Sequence, residues 1–370
     1  MIEPNDLNPL LTLTPGDHPY LTVCLQATVA HDGRRHYQTF LKSAVGRQEK
    51  ELAHDRIRLA EFQATVDQVN AYLEEELAEE TQGVALYAWE PAEFFRAFQL
   101  PVPVENFFRL DRKPCLLPLA RAITGQSRYC VAAVSLDQAR FWAIYLRQVT
   151  DARSLADENF LKRVQVGGWS QMRFQRHHEY HVERFLKDVA RELQSFWNAE
   201  RAEHLILLGH EPALSDFQRE LPTALKQRLS LVDNGSPEES EATILHRLEP
   251  LFKGRDEAIL QDIQERLAGN YQAVAGVSGV LEALQQGRLG KLALAADLQL
   301  RGGQCSTCST LSESPAGSCP LCGGTIQEVD LVEEIVQEAL RQNVHLHFVE
   351  QHPHRLTLHS RGGLAGVLRF

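Results

Sequence analysis

A chain of 370 residues, 44% hydrophobic and 24% charged, has room for two or three domains with cores of their own. No apolar run is long enough to span a bilayer, and Met1-Ile2-Glu3-Pro4-Asn5-Asp6 lacks the basic and apolar regions of a secretory signal. The net charge of -11 argues against a simple nucleic-acid coat, because phosphate binding needs cations.

In chain order, Tyr20 to Gln26 alternates as a strand. A long helical pattern follows from about Tyr37 to Glu79, with Leu52, Leu59, Phe62, Val66, Val69 and Leu73 at three- and four-residue steps. Gly83 to Ala88 reads as a second strand. Phe94, Phe95 and Leu100-Pro101-Val102-Pro103-Val104 are apolar but broken by proline, which suits an edge or a connector. A short helix at Leu119 to Ile123 leads out. Residues 1–124 thus read as an N-terminal α/β domain.

Tyr129 to Leu136 and Ala139 to Leu146, with a polar turn at Asp137-Gln138, predict a hairpin. After a glycine loop, His177 to Trp197 is helical, with Val182, Phe185, Leu186, Val189, Leu193 and Phe196 on one face. His204 to Gly209 is a buried strand and residues 213–228 a helix. Asn234-Gly235-Ser236-Pro237 opens another helix, which runs through Leu248. Residues 125–264 therefore predict a three-layer α/β domain. In residues 265–370, helices at Ala275 to Gln286 and Leu331 to Gln342 alternate with strands at Lys291 to Ala296 and Val344 to Val349. That order suggests one small α/β sandwich with an insertion at 302–326.

The insertion holds Cys305-x-x-Cys308 and Cys319-x-x-Cys322, two knuckles whose four thiolates close a tetrahedral zinc site with no open position. Such a site is structural and does no catalysis. Gly302-Gly303-Gln304 in front of it reads as a flexible entry turn. Cys24, Cys115 and Cys130 lie in apolar runs and read as buried reduced thiols, which points to the cytoplasm.

Between the hairpin and the following helix runs Val166-Gly167-Gly168-Trp169-Ser170-Gln171-Met172-Arg173-Phe174-Gln175-Arg176. Two glycines free the backbone, and Gln171 both donates and accepts hydrogen bonds. Arg173 and Arg176 can hold phosphate. Such a loop suits the orientation of a water or a ribose hydroxyl. Lys162, Arg163, Arg184, Lys187 and Arg191 extend this into a locally basic stretch on an acidic chain. His177, His178 and His181 form no HExxH order, and a basic, RNA-facing helix start suits them better than a metal. The chain has no Walker loop, dinucleotide fingerprint or G-x-S-x-G elbow.

The run from Gly167 to Arg176 resembles the catalytic loop of archaeal and eukaryotic class-one peptide release factors, which carry Gly-Gly-Gln-Ser-Ala-Leu-Arg-Phe before a basic helix. Gly167, Gly168, Ser170, Arg173 and Phe174 match; Trp169 stands in the glutamine place, and a glutamine follows as Gln171. This Gly-Gly-x-Ser-Gln form resembles the Vms-like branch and the bacterial archaeo-eukaryotic-type release factors. The resemblance covers about residues 127 to 370. It implies an RNase H-like middle domain and a C-terminal α/β sandwich like the kink-turn-binding proteins, carrying an inserted zinc ribbon. It implies Gly167, Gly168, Ser170, Gln171 and Arg173 as catalytic residues, and Trp169, Arg176, His177, His178 and Arg184 as RNA contacts. The structural zinc expected on Cys305, Cys308, Cys319 and Cys322 from their spacing stands apart from these residues. The expected partners are the ribosome, chiefly its large subunit, and peptidyl-tRNA, engaged by a monomer. The expected action is ester hydrolysis or cleavage at the tRNA 3′ end. The N-terminal domain lacks an Asn-Ile-Lys-Ser codon-reading motif, so it is expected to recognise a stalled particle rather than a stop codon. The alternative is a non-catalytic ribosome- or RNA-binding module on the same fold.

Overall fold

In a computed structural model, residues 4–13, 18–29, 35–124, 127–156, 169–269 and 272–369 are described. The chain divides into two compact units, residues 1–125 with 253–370, and residues 126–252.

The N-terminal part of the first unit opens on a 3-10 turn, Pro4–Leu7, and helix α1, Asn8–Leu11. Strand β1 (Tyr20–Gln26) precedes helices α2 (Tyr37–Leu52) and α3 (Arg56–Glu75). The single long helix expected from the periodicity is therefore two. The break comes at Asp55, whose extended backbone leaves its carboxylate free to accept from the amides of Ile57 and Arg58 as an N-cap. Strands β2 (Gly83–Trp89), β3 (Phe94–Leu100) and β4 (Phe107–Asp111) complete an antiparallel sheet of order β3-β2-β1-β4. Phe94 to Leu100 is thus a full edge strand, and the prolines lie beyond its end. Leu21, Val23 and Leu25 of β1 pack on Phe62, Val66 and Val69 of α3 in one core. Helix α4 (Leu117–Ile123) follows.

In the second unit, β5 (Tyr129–Val134), β6 (Gln138–Tyr145) and β7 (Gln148–Ala156) form an antiparallel meander. Helix α5 spans Trp169–Glu200, and β8 (His204–Gly209) returns parallel to β5. The segment read as a helix over 213–228 is α6 (Ala213–Glu220) and α7 (Thr223–Lys226). Pro222 divides them, because the residue before a proline is driven out of the helical region, and Leu221 has ψ of 135°. Strand β9 (Leu229–Asp233) and helix α8 (Glu241–Lys253) complete the unit, with sheet order β7-β6-β5-β8-β9. Alternate strand residues feed two cores. Cys130, Ala132, Phe141, Leu205 and Leu207 face α5 and α6. Val131, Ala133, Trp142, Ile206 and Leu208 face Ile244 and Leu248 of α8. The result is three layers, as the pattern predicts.

The chain then re-enters the first unit through α9 (Arg255–Ala268), β10 (Ala273–Ala275), α10 (Gly276–Gln285) and β11 (Leu289–Ala295). The insertion supplies β12 (Arg301–Cys305), β13 (Leu311–Ser312), β14 (Gly317–Ser318) and β15 (Thr325–Asp330), a small sheet of order β13-β12-β15-β14. Helix α11 (Leu331–Arg341), β16 (His345–Val349), α12 (His352–His359) and β17 (Leu364–Leu368) close the fold, with sheet order β10-β17-β11-β16. Among the described residues, no helix is long and apolar enough to cross a membrane.

Candidate functional site

Gly167 and Gly168 lie outside the described residues. The helix begins at Trp169 rather than at His177, so the backbone of Trp169, Ser170, Gln171, Arg173, Arg176, His177 and His178 belongs to the first turns of α5. The side chains of these seven residues also lie outside what is described. From Tyr180 onward α5 is a packed element. Val182, Phe185, Leu186, Val189, Ala190, Leu193 and Phe196 recur at helical spacing, and all are buried against the sheet. The opposite face is exposed and mixed in sign. Lys187 pairs with Glu183 at 2.5 Å and Arg191 with Asp188 at 3.1 Å, while Arg184 is exposed. His181 is half-buried, with its ring against that of Tyr180 at 6.1 Å.

The cysteine cluster is described completely. Cys305 ends β12, Cys308 lies in the turn after it, and Cys319 and Cys322 flank the turn after β14. One ligand atom from each comes within 4.8 Å of all the others. The Cys305–Cys322, Cys308–Cys322 and Cys308–Cys319 sulfurs are 3.4, 3.4 and 3.6 Å apart. Sulfurs around one tetrahedral metal at a bond length of about 2.3 Å lie about 3.8 Å apart, so the set is close to ligand geometry. The two knuckles are built alike. The amide of Thr307 donates to Cys305 Sγ and that of Gly324 to Cys322 Sγ, each at 3.4 Å. Ser309 and Gly323, each directly after the second cysteine of its pair, take positive φ of 58° and 74°. Gly324 has no room for a side chain, since a Cβ there would sit 2.5 Å from Thr307 Oγ1 and 3.0 Å from Cys305 Sγ. Hydrogen bonding to Thr310, by its hydroxyl at 3.1 Å and its backbone, pulls the Cys308 thiol down to about 6. Cys305 is lowered as well, by the amides of Cys308 and Thr307. Cys322 goes the other way, to about 12: the Gly324 amide lowers it, but hydrogen bonds with the neighbouring sulfurs outweigh this and keep its proton. Hydrogen bonds shared among these close thiols are the cause of that split, and a bound metal would replace the shared protons. The donor set fits one metal ion.

Gly302-Gly303-Gln304 is not a flexible turn. It forms the body of β12, paired with β15 across Gly302–Val329, Gly303–Glu328 and Gln304–Gln327. The glycines are dictated by close approach. A Cβ on Gly303 would lie 2.1 Å from Ile326 Cγ2, and one on Gly302 2.6 Å from the carbonyl of Ser312. Gln304 Nε2 donates to Glu334 at 3.1 Å.

Sequence reasoning did not find the seam that Glu334 belongs to. Glu333 on α11 is 4% exposed and accepts from the amides of Leu116 at 2.7 Å and Leu117 at 2.9 Å. It also accepts from the Cys115 thiol at 2.9 Å and from Gln337 at 2.7 Å. It therefore caps α4 from another part of the chain. Glu334 pairs with Lys113, and Arg109 with Asp330 at 3.5 Å. Burial raises the Glu334 carboxyl above its usual range, against the pull of Lys113. No local signal marks these partners, because they lie more than 200 residues apart. Cys24, Cys115 and Cys130 are buried and free, as expected, and burial pushes all three thiols up.

Residues 114–252 match the model of bacterial archaeo-eukaryotic release factor family 10. Among solved structures, the chain is similar to the archaeal translation termination factor aRF1, at 17% identity, with 100% of this chain and 99% of that chain covered and a TM-score of 0.27. Dom34 of S. cerevisiae, a translation termination-like factor, matches at 11% identity over 78% of this chain and 81% of its own, with a TM-score of 0.41. Pelota of Archaeoglobus fulgidus matches at 15% identity over 78% and 79%, with a TM-score of 0.32. No curated protein matches. The family 10 match lies across α4 and the whole middle unit, so over residues 114–252 the chain is similar to the bacterial archaeo-eukaryotic release factors.

Proposed function

We propose that the chain is a ribosome-associated release or rescue factor of the Vms-like kind, acting in the cytoplasm as a monomer on peptidyl-tRNA of stalled ribosomes or separated large subunits. One observation carries this reading. The family 10 match spans residues 114–252 and so includes Gly167-Gly168-Trp169-Ser170-Gln171 and all of α5. The order β7-β6-β5-β8-β9, with helices on both faces, supports the RNase H-like assignment of that unit. The C-terminal sheet with its inserted ribbon supports reading this part as the kink-turn-binding-protein-like sandwich.

In this reading the buried stretch of α5 anchors a rod, and the chemistry belongs to the turns before it. Gly167 and Gly168 let the backbone approach the tRNA end closely. Ser170 and Gln171 orient the nucleophile, and Arg173 stabilises phosphate charge. Trp169, Arg176, His177, His178 and Arg184 hold the RNA. Two reactions fit such a site. In one, water attacks the ester carbonyl, the ester C–O bond breaks and the ribose 3′-oxygen takes the proton. In the other, a ribose 2′-hydroxyl attacks the adjacent phosphorus, and the P–O5′ bond breaks to leave a cyclic phosphate and a 5′-hydroxyl. The Vms-like resemblance favours the second. Both are catalysis by positioning and electrostatics. Cys305, Cys308, Cys319 and Cys322 hold a structural zinc that takes no part in either.

A non-catalytic ribosome- or RNA-binding module is the second reading, favoured by Trp169 in the family's glutamine position and by the net charge of -11. Stalled ribosome–nascent-chain complexes incubated with wild type and Gln171→Ala decide between them. Gel resolution of peptidyl-tRNA should show release slowed on the order of a hundredfold in the variant. Equal release by both proteins would exclude Gln171 from the chemistry, and no release by wild type above a buffer control would establish the non-catalytic module. Mapping the tRNA 3′ end on the same gel separates hydrolysis from cleavage.

A further inference from the structure

We propose that α11 couples the cysteine cluster to α4, the helix that leads in sequence into the middle unit, so that metal loading at the cluster holds α4 in place. The coupling rests on the reading that the four cysteines bind a metal.

The linkage runs through residues with no slack. Ile326 of β15 shares a buried core with Cys305 and Cys319. Strand β15 ends at Asp330 and α11 begins at Leu331, so the wall of the cluster continues directly into the helix. Gly302 of β12 packs so closely on Leu331 that a Cβ would meet Leu331 Cδ2 at 2.8 Å. Gln304, next to Cys305, donates to Glu334 Oε2, whose other oxygen pairs with Lys113. One residue along, Glu333 caps the N-terminus of α4 through Leu116 and Leu117. Gln337, a turn further, donates to Glu333 and to the carbonyl of Pro114 at 3.0 Å. Glu333, Glu334 and Gln337 are 4%, 4% and 3% exposed, so none can turn to water when a partner leaves. A buried carboxylate that loses one of its donors must shift to find another. Release of β12 from the cluster would withdraw Gln304, unbalance Glu334 and disturb the adjacent cap on α4. The Gly-Gly-Gln tripeptide at 302–304 thus serves as the joint between the ribbon and α11.

Amide hydrogen exchange on the full chain tests this, with metal content measured on the same samples. Chelation should speed exchange roughly tenfold or more over residues 115–123 as well as 305–324. Gln304→Ala should do the same at 115–123 with its metal retained. Coupling is reciprocal, so Lys113→Met, which removes the partner of Glu334 and none of the four cluster cysteines, should release zinc to a chelator several-fold faster than wild type. Chelation that changes only 305–324, or an unchanged zinc-release rate in Lys113→Met, overturns the coupling while leaving the metal reading intact. Absence of bound metal in wild type overturns the metal reading, and the coupling with it.

Discussion

Asp256 shows how one buried carboxylate organises a corner of the fold. It is 7% exposed and accepts from His347 Nε2 at 2.8 Å and from the amides of Glu350 and Gln351 at 2.9 Å each. Burial would raise its carboxyl, but the hydrogen bonds from His347 and Gln351 win, and it falls below the usual range. A carboxylate depressed in the folded state contributes stability above its unfolded value of about 3.9, and that contribution is lost as pH falls through the folded value. Asp256→Asn should therefore lower stability by about 1–3 kcal/mol at neutral pH and flatten the acid limb of a stability-versus-pH curve. Urea unfolding across pH 3 to 7 measures both, on a scale of about 1.4 kcal/mol per pKa unit. An unchanged acid limb would refute it. Nothing in the sequence around Asp256 marks it, since all three partners come from β16 and the two residues after it.

Helix α5 was legible as an element because its apolar residues repeat at helical spacing over several turns. Its start was not legible. Trp169 to Arg176 carries polar and basic residues in no clear period, and the Gly167-Gly168 pair suggests a loop rather than the start of a helix. The strands β7 and β9 were missed for a related reason. Gln148 to Ala156 and Leu229 to Asp233 run along sheet edges with exposed or half-buried side chains, so neither shows the alternation of a strand with one wet face. The anchor of α5 is testable. Leu193 is fully buried among the residues that pack α5 on the sheet. Leu193→Ala should cost about 2–5 kcal/mol in chemical denaturation, the range for a large-to-small change in a closed core. A loss under about 1 kcal/mol would mean that α5 is held otherwise.

At the scale of the whole chain, the first unit is closed by residues distant in sequence, Glu333, Glu334 and Gln337 of α11 against residues 113–117. Purified protein should carry one zinc per chain. Because the ligands must be deprotonated, protons compete with the metal, so loading should fall as pH is lowered into the acid range and be recovered on return to neutral pH. Metal analysis after dialysis at graded pH checks this. Chelation should also lower the midpoint of thermal unfolding of the first unit, since metal binding to a site absent from the unfolded chain is folding free energy. Loading independent of pH down to about 4 would argue against thiolate ligation.

The sequence alone was enough for the local features: the amphipathic face of α5, the 129–146 hairpin, the two cysteine knuckles, and the Gly-Gly-x-Ser-Gln run with its release-factor resemblance. Each is written within a few residues, in a period or a spacing that short-range geometry requires. Tertiary structure decided the rest. It turned Gly302-Gly303-Gln304 from a turn into a strand, because the constraint there is the approach of Ile326 and Ser312. It divided the long N-terminal helix at the Asp55 cap. It joined Glu333 to the start of α4 and Glu334 to Lys113, pairings more than 200 residues apart that only packing can select. The physical reason is the same in each case. A hydrophobic period or ligand spacing is a property of the local chain, whereas a cap, a close approach or a buried ion pair exists only once another segment arrives.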